Sequence, residues 1–120
     1  LAAIAIPAYQ DYIIRTQVSD GLSLASGAKT AVAEYFQNLG SFPASNASAG
    51  LAASGSITGN FVTGVAVGAN GVITATYGGR ANTTITGSSV RLTPSSTGGS
   101  VVWACTSTNI APRYLPTQCR

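Results

Sequence analysis

Ile14-Arg-Thr-Gln-Val18-Ser-Asp-Gly-Leu22-Ser-Leu-Ala25-Ser-Gly-Ala28-Lys-Thr-Ala-Val32-Ala-Glu-Tyr-Phe36-Gln-Asn-Leu39-Gly40 is the stretch on which the fold turns. Its apolar residues Ile14, Val18, Leu22, Ala25, Ala28, Val32, Phe36 and Leu39 recur at spacings of four and three, which makes one stripe on an amphipathic helix. Gly40 stands where a helix C-cap glycine belongs, and Pro43 prevents the helix from resuming. Gly21 and Gly27 each weaken a helix by about 1 kcal/mol relative to alanine, so this helix needs packing to hold it. The stripe predicts Val18, Leu22, Val32 and Phe36 as buried, with Arg15 and Lys29 in water.

Upstream lies the apolar run Leu1-Ala-Ala-Ile4-Ala-Ile6, followed by Pro7. A spanning helix needs about 20 apolar residues, so this run is too short to cross a bilayer. It also lacks the basic region of a signal peptide. It reads as the end of a longer apolar segment. Pro7 has no N–H and clashes one turn back, so a kink or loosening is expected there.

Downstream the pattern changes. Residues 41 to 60 are rich in Ala, Ser, Gly and Asn, carry no charge, and read as a connecting loop with a short helical turn near Leu51. Four β-branched runs follow: Phe61–Val67, Val72–Tyr77, Ser89–Thr93 and Ser100–Cys105. Ala69-Asn70-Gly71 carries the Asn-Gly hairpin signature, and the segment from Pro94 to Gly99 reads as a turn. Short strands joined by tight turns imply an antiparallel sheet. The expected class is therefore α+β, with a long N-terminal helix packed on a four-stranded antiparallel sheet. The division is residues 1–39 helix, 40–60 loop, 61–105 sheet and 105–119 tail loop, all in one domain, as 120 residues suggest.

Composition argues against catalysis. There is no His, and the three acids, Asp11, Asp20 and Glu34, all fall in the first 34 residues. General acid–base chemistry recruits His or placed carboxylates, and zinc sites need several His, Cys or acidic ligands. No catalytic, cofactor-binding or metal-ligating residue is assigned. The glycine pairs Gly78-Gly79 and Gly98-Gly99 fit no phosphate-loop pattern and read as turn residues. Asn46-Ala-Ser48 and Asn82-Thr-Thr84 match a glycosylation sequon, a triplet frequent by chance. The net charge of +3 is six scattered basic residues against three acids, a balance that suits ordinary solvation and could also attract nucleic acid or anionic lipid. Cys105 and Cys119 form no Cys-x-x-Cys. An even count in a charge-poor chain rich in Ser, Thr and Gly fits an exported protein with one disulfide, the alternative being two free buried thiols.

The run Leu1-Ala-Ala-Ile-Ala-Ile-Pro-Ala-Tyr-Gln-Asp-Tyr12 resembles the second part of the N-terminal helix signature of type IVa pilins. Arg15-Thr-Gln-Val-Ser-Asp-Gly21-Leu-Ser-Leu-Ala-Ser continues the likeness. At the other end, Trp103-Ala-Cys105 and Arg113-Tyr-Leu-Pro116-Thr-Gln-Cys119 resemble the ending of the major pilin subgroup, a strand followed by a disulfide loop. The resemblance covers nearly the whole chain in order.

It implies a Cys105–Cys119 bridge, and a filament-core role for Ile4, Ile6 and Pro7. It also implies that the disulfide loop is a variable edge; its Arg113 and Tyr114 suit receptor contact, the alternative being a loop that only staples the C-terminus. The family's prepilin cleavage site, N-methylated aromatic residue, nearby glutamate and membrane segment would all lie upstream of Leu1. Implied partners are other pilin subunits in a homopolymer, the pilus assembly machinery, and host-cell glycans, DNA or phage. The membrane enters only through the upstream segment, before assembly into a surface pilus. Rival expectations are a minor pilin or a secretion-system pseudopilin, and, from another class, a glycan- or DNA-binding receptor module. Pseudopilins commonly lack the C-terminal disulfide loop, so the cysteine pair counts against them.

Overall fold

The computed structural model describes the backbone from Ala2 and the side chains from Tyr9 to Arg120. The expected packing of Ile4, Ile6 and Pro7 therefore lies outside the described side chains. Helix α1 runs from Ala2 to Leu39, and its backbone is helical through position 7. It ends as its sequence demands: Gly40 adopts φ +75, in the left-handed region, and its N–H bonds the Phe36 carbonyl at 2.8 Å.

Four strands follow, β1 (Val62–Val67), β2 (Ile73–Tyr77), β3 (Ser89–Thr97) and β4 (Ser100–Thr106), paired antiparallel in chain order. The β1–β2 connection closes through Asn70 (φ 60) and Gly71 (φ 74), the pair of positive φ values that Asn-Gly supplies at least cost. A register shift between Val62 and Gly64 puts a bulge near the start of β1. The connecting loop holds a hydrogen-bonded turn over residues 46–50 and a 3-10 turn at Ser54–Ser56.

The core lies between the helix stripe and one sheet face. Ile14, Val18, Leu22, Ala25, Ala28 and Val32 meet Val65, Val67, Ile73, Ala75, Tyr77, Val90 and Leu92, all buried. The expected class, helix on a four-stranded antiparallel sheet, is the observed one.

Three details differ from the expectation. β3 does not stop at Thr93 but continues through Pro94 to Thr97, so the turn shrinks to Gly98-Gly99. Pro94 pairs with Trp103 on β4 but lies past Leu92, the last β3 residue paired with β2, so one side of the strand carries no ladder to break. Leu39 closes the stripe in sequence but is 64% exposed; the last helical turn meets the sheet through Gln37, whose amide donates to the Gly99 carbonyl at 3.3 Å. Phe36 is only half-buried and stacks on Phe42, ring centroids 4.5 Å apart, which folds the start of the loop back on the helix.

Candidate assembly and recognition surfaces

The helix and sheet are joined by a lock that periodicity does not reveal. Tyr77 is 1% exposed, and its hydroxyl donates to the Val18 carbonyl of α1 at 2.6 Å. The ring occupies the space where a residue-21 side chain would stand, so any Cβ at Gly21 would overlap it. Gly21 thus weakens the helix locally and admits the aromatic ring that fixes it to β2. Burial, and secondarily the Asp20 carboxylate, push the Tyr77 hydroxyl well above its ordinary value of 10.0.

A second anchor ties the connecting loop to the sheet edge. The buried Asn46 amide donates to the Ala52 carbonyl at 2.9 Å and the Val65 carbonyl at 3.0 Å. Its oxygen accepts the Val67 N–H at 2.6 Å. One side chain thus satisfies a loop carbonyl and two backbone groups of β1. Both amide protons of this sequon asparagine are committed inside the fold, so a glycan, which replaces one of them, would break at least one of these hydrogen bonds. Asn82 is half-buried, and its oxygen accepts the Thr84 N–H at 2.9 Å.

At the C-terminus, Cys105 and Cys119 are bridged, with Cα atoms 4.6 Å apart. The enclosed loop is not a free flap. Ile110, Leu115 and Cys119 are buried, and Tyr114 packs against the core from a half-buried position. Arg15 Nε of α1 donates to the Arg113 carbonyl at 3.1 Å, and Arg120 Nε donates to the Leu115 carbonyl at 2.9 Å. The Arg113 guanidinium lies 5.8 Å from the Tyr114 ring centroid, with the Arg113 side chain exposed. Of the two residues singled out for receptor contact, Arg113 is outermost and Tyr114 also has structural work.

The opposite feature is the first part of α1 whose side chains are described. Tyr9 and Tyr12 are 63% and 60% exposed, and Ile14 is the first stripe residue in the core. Among the described residues no helix is long and apolar enough to cross a membrane. The described residues also hold no cluster of three or more His, Cys, Asp or Glu side chains that could hold a metal ion.

Lys29 departs from expectation. It is half-buried rather than solvated, with Nζ 5.8 Å from the centroid of the Trp103 ring. Trp103 lies on the sheet face that the helix covers elsewhere, opposite Pro94, and is itself only partly buried.

The described part of the molecule is thus a long helix with exposed tyrosines at positions 9 and 12, pinned from Ile14 to Val32 on a sheet whose C-terminal loop is stapled by a disulfide. The family model for pilin, a bacterial filament, matches residues 14–120. Fimbrial protein EcpC of Eikenella corrodens is 45% identical over 124 residues, covering 100% of this chain and 79% of that protein. The type IV major pilin protein PilE of Neisseria gonorrhoeae is 49% identical over 106 residues, 88% of this chain. The match spans 63% of that relative's own length, a little under two thirds. Over a shorter stretch of 38 residues, 32% of this chain and 24% of the relative, the type IV major fimbrial protein FimA of Dichelobacter nodosus is 63% identical. The chain belongs to the pilin family.

Proposed function

We propose that this pilin is the repeating structural subunit of a type IV pilus and has no enzymatic activity. The observation that carries the reading is the family match over residues 14–120, joined to a helix whose Tyr9 and Tyr12 stand uncovered. Polymerisation then proceeds by packing helix on helix, with the upstream residues Ile4, Ile6 and Pro7 in the filament core and the sheet outside. Burying aromatic and aliphatic surface between copies supplies the driving force. Several relatives are named major pilins, which favours the major subunit over a minor pilin or pseudopilin. The subunit waits in the inner membrane before assembly, held by the family's upstream apolar segment. The finished pilus supports adhesion and twitching motility, and serves DNA uptake or phage reception.

The disulfide loop is the proposed contact region, with Arg113 outermost. A strain that lacks this chain should carry no such filaments. A strain carrying Arg113→Ala should keep its filament number, because the Arg15 bond goes to the residue-113 backbone. Its attachment to cells or phage should fall about fivefold or more, as for removal of an exposed arginine anchor. Electron-microscope filament counts beside an attachment assay separate the two effects. Unchanged attachment would reduce the loop to a structural clasp.

A further inference from the structure

The face of β4 toward the helix is left partly uncovered, and a cavity of about 110 Å3 opens there between α1, the sheet and the disulfide loop. Leu22 and Leu92 form its floor, the Trp103 ring is one wall, and Ser26, Lys29 and Gln118 border it. These polar groups come from two separate elements, Ser26 and Lys29 from the helix and Gln118 from the loop, with the Trp103 ring of β4 beside them. Among the described residues the Lys29 ammonium has no carboxylate partner, and its contact is the Trp103 ring. Ser26 and Gln118 are exposed and Lys29 is half-buried, so their polar groups are open to a ligand as well as to solvent.

We propose that this cleft binds a carboxylated monosaccharide. An indole face suits the C–H surface of a sugar ring, as aromatic walls do in many polar pockets. A hydroxyl and an amide suit ring hydroxyls, since each both donates and accepts. The unpaired ammonium selects a carboxylate, giving a charge-assisted hydrogen bond. At about 110 Å3 the cleft is too small to enclose a whole hexuronate, so it would hold the carboxylated edge of one ring with the rest in solvent, and a longer glycan would enter by one acidic residue. The disulfide forms part of the cleft through Cys105, so closing the C-terminal loop also shapes the site. The site is distinct from Arg113 and Tyr114, and all of its lining residues belong to one subunit.

Trp103 is the chain's single tryptophan, which makes its fluorescence a local probe. The purified protein is titrated with sodium glucuronate, glucose and sodium acetate at constant ionic strength. Glucuronate should change the emission saturably with an affinity on the order of millimolar, as a single small ring allows. Glucose and acetate should bind about fivefold to tenfold more weakly, each having lost one half of the recognition. Lys29→Gln should bring glucuronate down to the level of glucose, with an unchanged circular dichroism spectrum. Ser26→Ala, on an exposed helix position, should weaken both sugars together. A strictly linear change with glucuronate, acetate binding as well as glucuronate, or Lys29→Gln binding glucuronate as well as the unaltered protein would each overturn the assignment.

Discussion

Tyr77→Ala should cost about 3–5 kcal/mol, the range for deleting a large buried aromatic, and so approach the whole stability of a domain this size. The ring is 1% exposed and fills the notch that Gly21 leaves in the helix, so its loss opens a cavity between helix and sheet. Tyr77→Phe keeps the ring and removes only the 2.6 Å bond to the Val18 carbonyl, at a cost of about 1 kcal/mol. Urea unfolding of the three proteins gives both differences, and equal costs for Ala and Phe would mean that the ring is not the anchor.

The same residue sets an alkaline limit. Its folded-state pKa is raised above the ordinary 10.0, so the folded protein holds the proton more tightly than the unfolded chain does. The associated stability is fully present below pH 10 and is lost as pH rises beyond it, where the unfolded tyrosine ionises first. Tyr77→Phe should flatten that part of the stability profile.

Removing the bridge by replacing both Cys105 and Cys119 with serine should cost about 3 kcal/mol, from the freedom restored to a loop of about this length in the unfolded chain. The effect should not stay in the loop. Ile110, Leu115 and Tyr114 pack against the core, so amide exchange should rise across residues 106–120 and at the Arg15 end of the helix contact. The core around Ile73 and Val65 should keep its protection until global unfolding. Denaturant unfolding with and without reductant measures the total, and a difference under about half a kcal/mol would contradict this role for the bridge.

The helix was legible because a single face carries its information. Spacings of four and three name the buried residues from Ile14 to Val32, and Gly40 marks the stop with a backbone angle that other residues rarely adopt. The strands were legible as runs, but their ends were not. Proline at position 94 reads as a turn when no partner is known, yet it sits in β3 because β2 has already ended beside it.

The candidate sites divide in the same way. The cysteine pair was readable from count and compartment, sharpened by the family resemblance. The Lys29–Trp103 cleft was not, because it depends on where the helix crosses the sheet and which strand it leaves uncovered. A lysine on a helix reads as solvated until a ring 74 residues away in sequence is brought to 5.8 Å. Gly21 gave a partial signal. A glycine inside a periodic helix, costly by propensity, asks for a close neighbour, but nothing in the sequence singles out Tyr77 among the five tyrosines.

The central claim is that this chain is the repeating unit of a surface filament, and mass spectrometry of filaments sheared from the cells that make it is the most direct measurement. The account predicts that peptides of this chain dominate the sheared material, with Cys105 and Cys119 recovered as one linked peptide. Filaments dominated by a different pilin, with this chain absent or a trace component, would contradict it.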